Sequence, residues 1–153
     1  MQSKSVIFYG ITSDFLNVAL KLIEKLYENK EKTLFLCDNE EEVKFIDSKL
    51  WTYSKLSFIP HGSNYTIAKD RAKFCHTWVS MDIDLINDPV CLIHNGLQIL
   101  DEKINSFSKI IDIFNIDLIN GAQERSKFYK DCGFMDQKFW KQVGTSWKSE
   151  ELI

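Results

Sequence analysis

The first fifty residues alternate between two hydrophobic periods, and that alternation restricts the fold more than any other feature of the chain. Residues 5–11 (SVIFYGI) form a short β-branched and aromatic run, closed by Thr12-Ser13-Asp14, a group able to cap a helix. Phe15, Ala19, Leu22, Ile23 and Leu26 then recur at helical spacing to about Tyr27, with Lys21, Glu24, Lys25 and Glu28 elsewhere on the wheel. Asn29-Lys30-Glu31-Lys32 breaks the pattern, and residues 33–37 (TLFLC) make a second strand of buried type. Asn39 with Glu42 three positions on has the form of a capping box, opening a helix with Val43, Ile46 and Leu50 inward. Strand, helix, strand, helix predicts a parallel pair joined by a right-handed crossover.

Two further runs, 74–79 (FCHTWV) and 90–94 (VCLIH), have strand composition and flank a loop-like segment at 82–89. A fifth run, 109–114 (KIIDIF), follows a short amphipathic stretch, and the spacing predicts a helix over 117–132 with Gly133 where a left-handed cap is wanted. The class is therefore α/β: an open, mainly parallel sheet with helices on both faces. At 153 residues the chain fits one domain, 1–153, and that length lets roughly two-thirds of the unfolded surface be buried. The apolar run before Thr12 is too short for a signal peptide, and no stretch approaches the ~18 apolar residues of a membrane span. Cys37, Cys75, Cys91 and Cys132 are dispersed without a CxxC pair. Together these features predict a reduced, cytoplasmic setting with no membrane partner.

A net charge of -3 argues against a protein whose main task is neutralising nucleic-acid phosphates. Within 121–148, however, Arg125, Lys127, Lys130, Lys138, Lys141 and Lys148 outnumber Glu124, Asp131 and Asp136, a local +3 that leaves -6 on the rest. A basic C-terminal face on an acidic body suits an acidic peptide better than a duplex, although solvated lysines account for many such clusters.

An open parallel sheet invites a nucleotide site at the first strand-to-helix turn. That turn, Tyr9-Gly10-Ile11-Thr12-Ser13-Asp14, holds one glycine and neither phosphate-cradling signature, so Ser13 reads as an ordinary cap. Cys75-His76 and Cys91 with His94 suggest a metal site, but alternation along a strand sends the members of each pair to opposite faces, so no metal and no cofactor is expected. No GxSxG elbow is present, and His94-Asn95-Gly96, at the expected end of a strand, reads as well as a turn as it does as an active-site fragment.

Leu50-Trp51, followed by Ser57-Phe58-Ile59-Pro60-His61-Gly62, resembles the central signature of the chi subunit family of bacterial DNA polymerase III. Residues 124–130 (ERSKFYK), then Gly133-Phe134 and a late tryptophan-lysine pair, are similar to that family's last helix and tail. The resemblance runs in order along most of the chain and is specific mainly in these two blocks. It implies a Rossmann-like fold without nucleotide chemistry and a non-catalytic adaptor. One surface would bind the psi subunit or another clamp-loader component, and a second the C-terminal tail of single-stranded-DNA-binding protein, with DNA met only indirectly. Trp51 and Phe58 fall at the positions that meet psi, although tryptophan is also common in cores. The tail is acidic and ends in an apolar residue with a free carboxylate, so its receptor needs an apolar pocket rimmed by cations. Gln123, Lys127 and Lys130 share one helical stripe, while Ile119, Ala122, Ser126 and Tyr129 share the next. Gln123 stands where the family has an arginine and Ser126 where it has a tyrosine, whereas Lys127 is kept. Two rival readings remain: a small α/β hydrolase or nucleotide-binding protein using His94-Asn95-Gly96, and a single-strand binder stacking bases on Trp140 and Trp147 among the C-terminal lysines.

Overall fold

The computed structural model describes residues 3–53 and 60–152. The chain runs β1 (Ser5–Ile11), α1 (Phe15–Glu28), β2 (Thr33–Leu36), α2 (Glu40–Thr52), β3 (His61–Ser63), β4 (Thr77–Ser80), β5 (Cys91–Asn95), β6 (Lys109–Asn115), α3 (Ile119–Asp131), β7 (Asp136–Val143) and β8 (Ser146–Glu150). One eight-stranded sheet has the order β3-β4-β2-β5-β6-β1-β7-β8, parallel throughout except for the antiparallel β7–β8 hairpin. The mainly parallel α/β reading thus describes the molecule.

Both helices are capped where the sequence indicates, but the α1 cap is Asp14 and not Ser13, whose hydroxyl donates instead to Gln142 Oε1. The Asp14 carboxylate accepts from Leu16 N, and the Asn39 side chain accepts from Glu42 N at 2.9 Å. Glu40, Glu41 and Glu42 fill the first turn of α2, where the helix dipole favours negative charge. The period-2 alternation sorts the strand residues into two cores. Val6, Phe8, Leu34, Leu36, Leu92 and Ile110 pack with Ala122 and Tyr129 of α3. Ile11, Phe35, Ile93 and Ile111 pack instead with Ile23 and Leu26 of α1 and with Val43, Ile46 and Leu50 of α2. Consequently α1 and α2 cover one face of the sheet and α3 the other.

Four further expectations need correction. β1 and β2 are parallel but not neighbours, because β5 and β6 lie between them; a strand's periodicity specifies its faces and says nothing of its partners. The run 74–79 is not one strand. Phe74 ends a 3₁₀ turn (Lys69–Phe74) and is largely exposed, Cys75 N closes the turn on Ala72 O, and regular pairing begins only at Thr77. The last helix starts at Ile119 after a 3₁₀ turn (Ile116–Leu118) capped by Asn115. Finally, β3, β7 and β8 are strands that apolar patterning did not reveal, since β7 and β8 bury little besides Phe139.

The end of α3 aims the chain into β7. Gly133, at φ +94°, closes a Schellman motif in which Phe134 N donates to Tyr129 O and Gly133 N to Lys130 O, with the Phe134 and Tyr129 rings in edge contact. The chain therefore turns back beside α3 and brings β7 alongside β1.

Candidate functional site

The first expected surface is built where α2 meets β3. Asp47, buried on α2, accepts from Ser63 Oγ at 3.1 Å and from Thr66 Oγ1 at 2.6 Å, which ties the start of the β3 loop to the helix. One turn further along α2, Trp51 lays its ring 4.3 Å from that of buried His61, yet remains 48% exposed. Its ring is thus held in place while its outer side meets solvent, a combination that suits docking better than core packing. Phe45, also on α2, and Tyr65 are similarly exposed, and the Lys49 and Lys44 ammonium groups lie over their respective rings. Sequence reasoning passed over both residues, although Phe45 falls off the Val43-Ile46-Leu50 stripe and that position could have marked it. Phe58 lies outside the described residues.

The second expected surface is a groove between α3 and β7. Ser126 and Lys130 from α3, Phe8 from β1, and Gln137, Lys138 and Phe139 from β7 line a cavity of about 270 Å³ whose remaining wall is residues 149–152. Ser126 is buried, and its hydroxyl donates to Gln137 Oε1, while Gln137 Nε2 donates to Ser126 O and Phe134 O. Half-buried Gln123 donates from Nε2 to Leu152 O at 2.8 Å. Lys130 and Lys138 are exposed at the groove, whereas Lys127 is exposed outside its lining. The structure therefore gathers Gln123, Ser126 and Lys130 at the groove and sets Lys127 apart. The contribution of β7 and of the chain's own end was missed. Its signal was the Gly144-Thr145 pair between two tryptophan-bearing runs, because a two-residue turn with Gly144 at φ +61° makes the β7–β8 hairpin.

Arg125 belongs to neither surface. Its Nε and Nη2 donate to Asp112 at 2.7 and 3.0 Å, and Tyr129 Oη donates to the same carboxylate at 2.8 Å. The basic C-terminal face is accordingly one cation poorer than a count suggests. His94 completes the network: Leu97 N donates to Nδ1, so Nε2 carries the proton and donates to Tyr129 Oη at 2.9 Å. Burial lowers the His94 pKa despite the Asp112 charge; burial, then Asp112, holds the Tyr129 phenol well above its usual value. Both ring nitrogens of His94 are engaged and fully buried, which leaves no free base at this strand end.

The nucleotide reading loses its first turn in a similar way. Thr12 N and Ser13 N donate to Gln142 Oε1 at 2.8 and 3.1 Å, so a β7 side chain already occupies the amides that would receive a phosphate. A wider crevice of about 920 Å³ opens beyond the carboxyl ends of β2 and β5, the place where such sheets bind ligands. Asp38, Asp82, Asp84 and Asp101 outnumber Lys69 and Lys103 in its lining, a balance that repels phosphates. For the single-strand reading, Trp147 packs edge-on against Tyr9 and Trp140 is half-buried, so each indole is already partly committed to the fold. Among the described residues no three His, Cys, Asp or Glu side chains gather as metal ligands, and no helix is long and apolar enough to cross a membrane.

A probable DNA polymerase III subunit chi from Rickettsia prowazekii (strain Madrid E) is 37% identical over 59 residues, 39% of this chain and 36% of that protein. The matched stretch therefore spans about a third of the curated relative's length. Residues 3–137 match the family described as DNA polymerase III chi subunit, HolC. That match takes in every element from β1 to α3 and ends inside β7, and the chain belongs to the DNA polymerase III chi subunit family.

Proposed function

We propose that this chain is a non-catalytic accessory subunit of a replicative polymerase in the cytoplasm, a single-domain adaptor that joins the clamp-loader complex to DNA coated by single-stranded-DNA-binding protein. Family membership supports the replicative setting. The observation that carries the adaptor reading is the separation of the two surfaces. Trp51 sits beside β3, one edge of the sheet, on the face covered by α2; the groove lies between α3 and β7 on the opposite face, six strand spacings away. At ~4.8 Å per spacing the two lie about 30 Å apart, so two partners could be held without contact.

At the first surface, Trp51, with Phe58 from the adjoining segment, docks psi or another clamp-loader component, and Phe45 and Tyr65 widen the aromatic area. At the second, Gln123, Ser126 and Lys130 with the β7 side chains receive the apolar end of the tail, and Lys127 steers its acidic stretch from outside the groove. Burying one apolar terminus contributes roughly 1.5–3 kcal/mol and a charge-assisted contact roughly as much again. After association costs a lone tail binds at micromolar strength or weaker, and several tails on one oligomer supply the rest through effective concentration.

Two substitutions test the division of labour. Trp51→Ala is expected to weaken capture of a psi or clamp-loader partner by about 2 kcal/mol, roughly thirtyfold, without changing tail binding. Lys127→Ala is expected to do the reverse, with a smaller loss that shrinks as salt rises. Loss of both activities in either folded variant would contradict two independent surfaces.

A further inference from the structure

The family match stops at residue 137, yet the described chain continues through most of β7 and all of β8 to Leu152. This added length does not leave the molecule. β8 pairs with β7 as far as the Phe139–Glu150 register, and Trp147 is braced against Tyr9 of β1. Past Glu150 the chain closes one side of the groove. Leu152 packs against the core that contains Phe8 and Phe139, and its carbonyl receives the Gln123 amide at 2.8 Å.

The chemistry of this segment is that of a groove ligand. Two glutamates, Glu150 and Glu151, precede an apolar residue; Glu150 pairs with Lys148 of its own strand at 3.7 Å, and Lys130 and Lys138 line the same groove. We propose that the α3–β7 groove is a site for acidic-apolar peptide segments that is already engaged in cis by residues 150–152, so that an external segment of the same chemistry binds only by displacing them. The inference rests on the reading of α3 as the tail-binding face, and it adds regulation to that face. Gln123 is the pivot: a neutral amide suits a main-chain carbonyl, and while Leu152 is docked the N–H that it holds is unavailable to an incoming ligand. A strap docked roughly nine-tenths of the time lowers apparent affinity for an external segment about tenfold.

The test has two arms on the full chain. In the first, backbone relaxation by NMR is measured for residues 150–152 and is expected to match the rigidity of β7; disorder in these residues would overturn the inference outright. In the second, a labelled peptide with several carboxylates and a C-terminal aromatic residue is titrated into the parent and into Leu152→Ser, with melting curves confirming that both are folded. About tenfold tighter binding to the variant supports displacement, and equal affinity overturns it. Binding to neither, with residues 150–152 rigid, would overturn the displacement proposal and the external-tail reading together, whereas equal binding to both chains would overturn displacement alone.

Discussion

Asp112→Asn is the perturbation whose cost follows most directly from the geometry. Asp112 is fully buried and accepts from Arg125 Nε at 2.7 Å, Arg125 Nη2 at 3.0 Å and Tyr129 Oη at 2.8 Å. Asparagine preserves the shape but removes the charge, and it presents one oxygen and one NH₂ group to two guanidinium donors. One donor therefore faces another donor, and the Arg125 cation, only 6% exposed, loses its counter-ion. Removing one partner of a buried pair costs about 3–5 kcal/mol, because the other charge stays buried and uncompensated. For a chain of this length that corresponds to a fall in Tm of roughly 6–20 °C. Urea unfolding followed by circular dichroism measures it. The double variant Asp112→Asn/Arg125→Met should be less destabilised than the single, since it removes the orphaned charge as well. A single-variant loss under about 1 kcal/mol, or a double variant that is the less stable of the two, would refute the reasoning.

Two further outcomes follow. A Cβ at position 62 would lie 2.4 Å from Ile67 Cδ1 and 2.7 Å from its Cγ1, so Gly62→Ala should cost about 1–3 kcal/mol, and Ile67→Ala should relieve most of that in a double-mutant cycle; additive losses would contradict the steric account. Stability should also decline on mild acidification. Burial lowers the pKa of both His94 and His76, so the unfolded chain binds the extra protons. The contribution is complete above the unfolded value near 6.5 and is lost as pH falls below it, at up to ~1.4 kcal/mol per pH unit for each histidine. A urea midpoint unchanged between about pH 7 and 5.5 would contradict this assignment.

How much of this was legible in the sequence depended on burial. The runs that became β1, β2, β5 and β6 are apolar on both faces, as strands sandwiched between helices must be, and they could be read with nearly correct ends. β7 and β8 form an edge hairpin with one fully buried side chain between them, so they carry no comparable pattern. The α3 stripe was read correctly as a helix face. Which of its residues reach the groove was not legible, because that depends on where β7 and residues 149–152 lie. Arg125 shows the same limit from the other side: its partner Asp112 is thirteen residues away on β6, and only the fold makes the pair. The resemblance singled out Trp51, whereas its contact with His61 depends on β3, which periodicity did not reveal.

The adaptor account is tested most directly by fluorescence anisotropy. A labelled C-terminal peptide of single-stranded-DNA-binding protein, and the same peptide lacking its last residue, would be titrated into the parent chain and into Leu152→Ser. The account predicts binding of micromolar strength or weaker to the parent, tighter binding to the variant, and loss of both when the terminal residue is removed. No binding of the intact peptide to either chain, or equal binding of the shortened one, would contradict it.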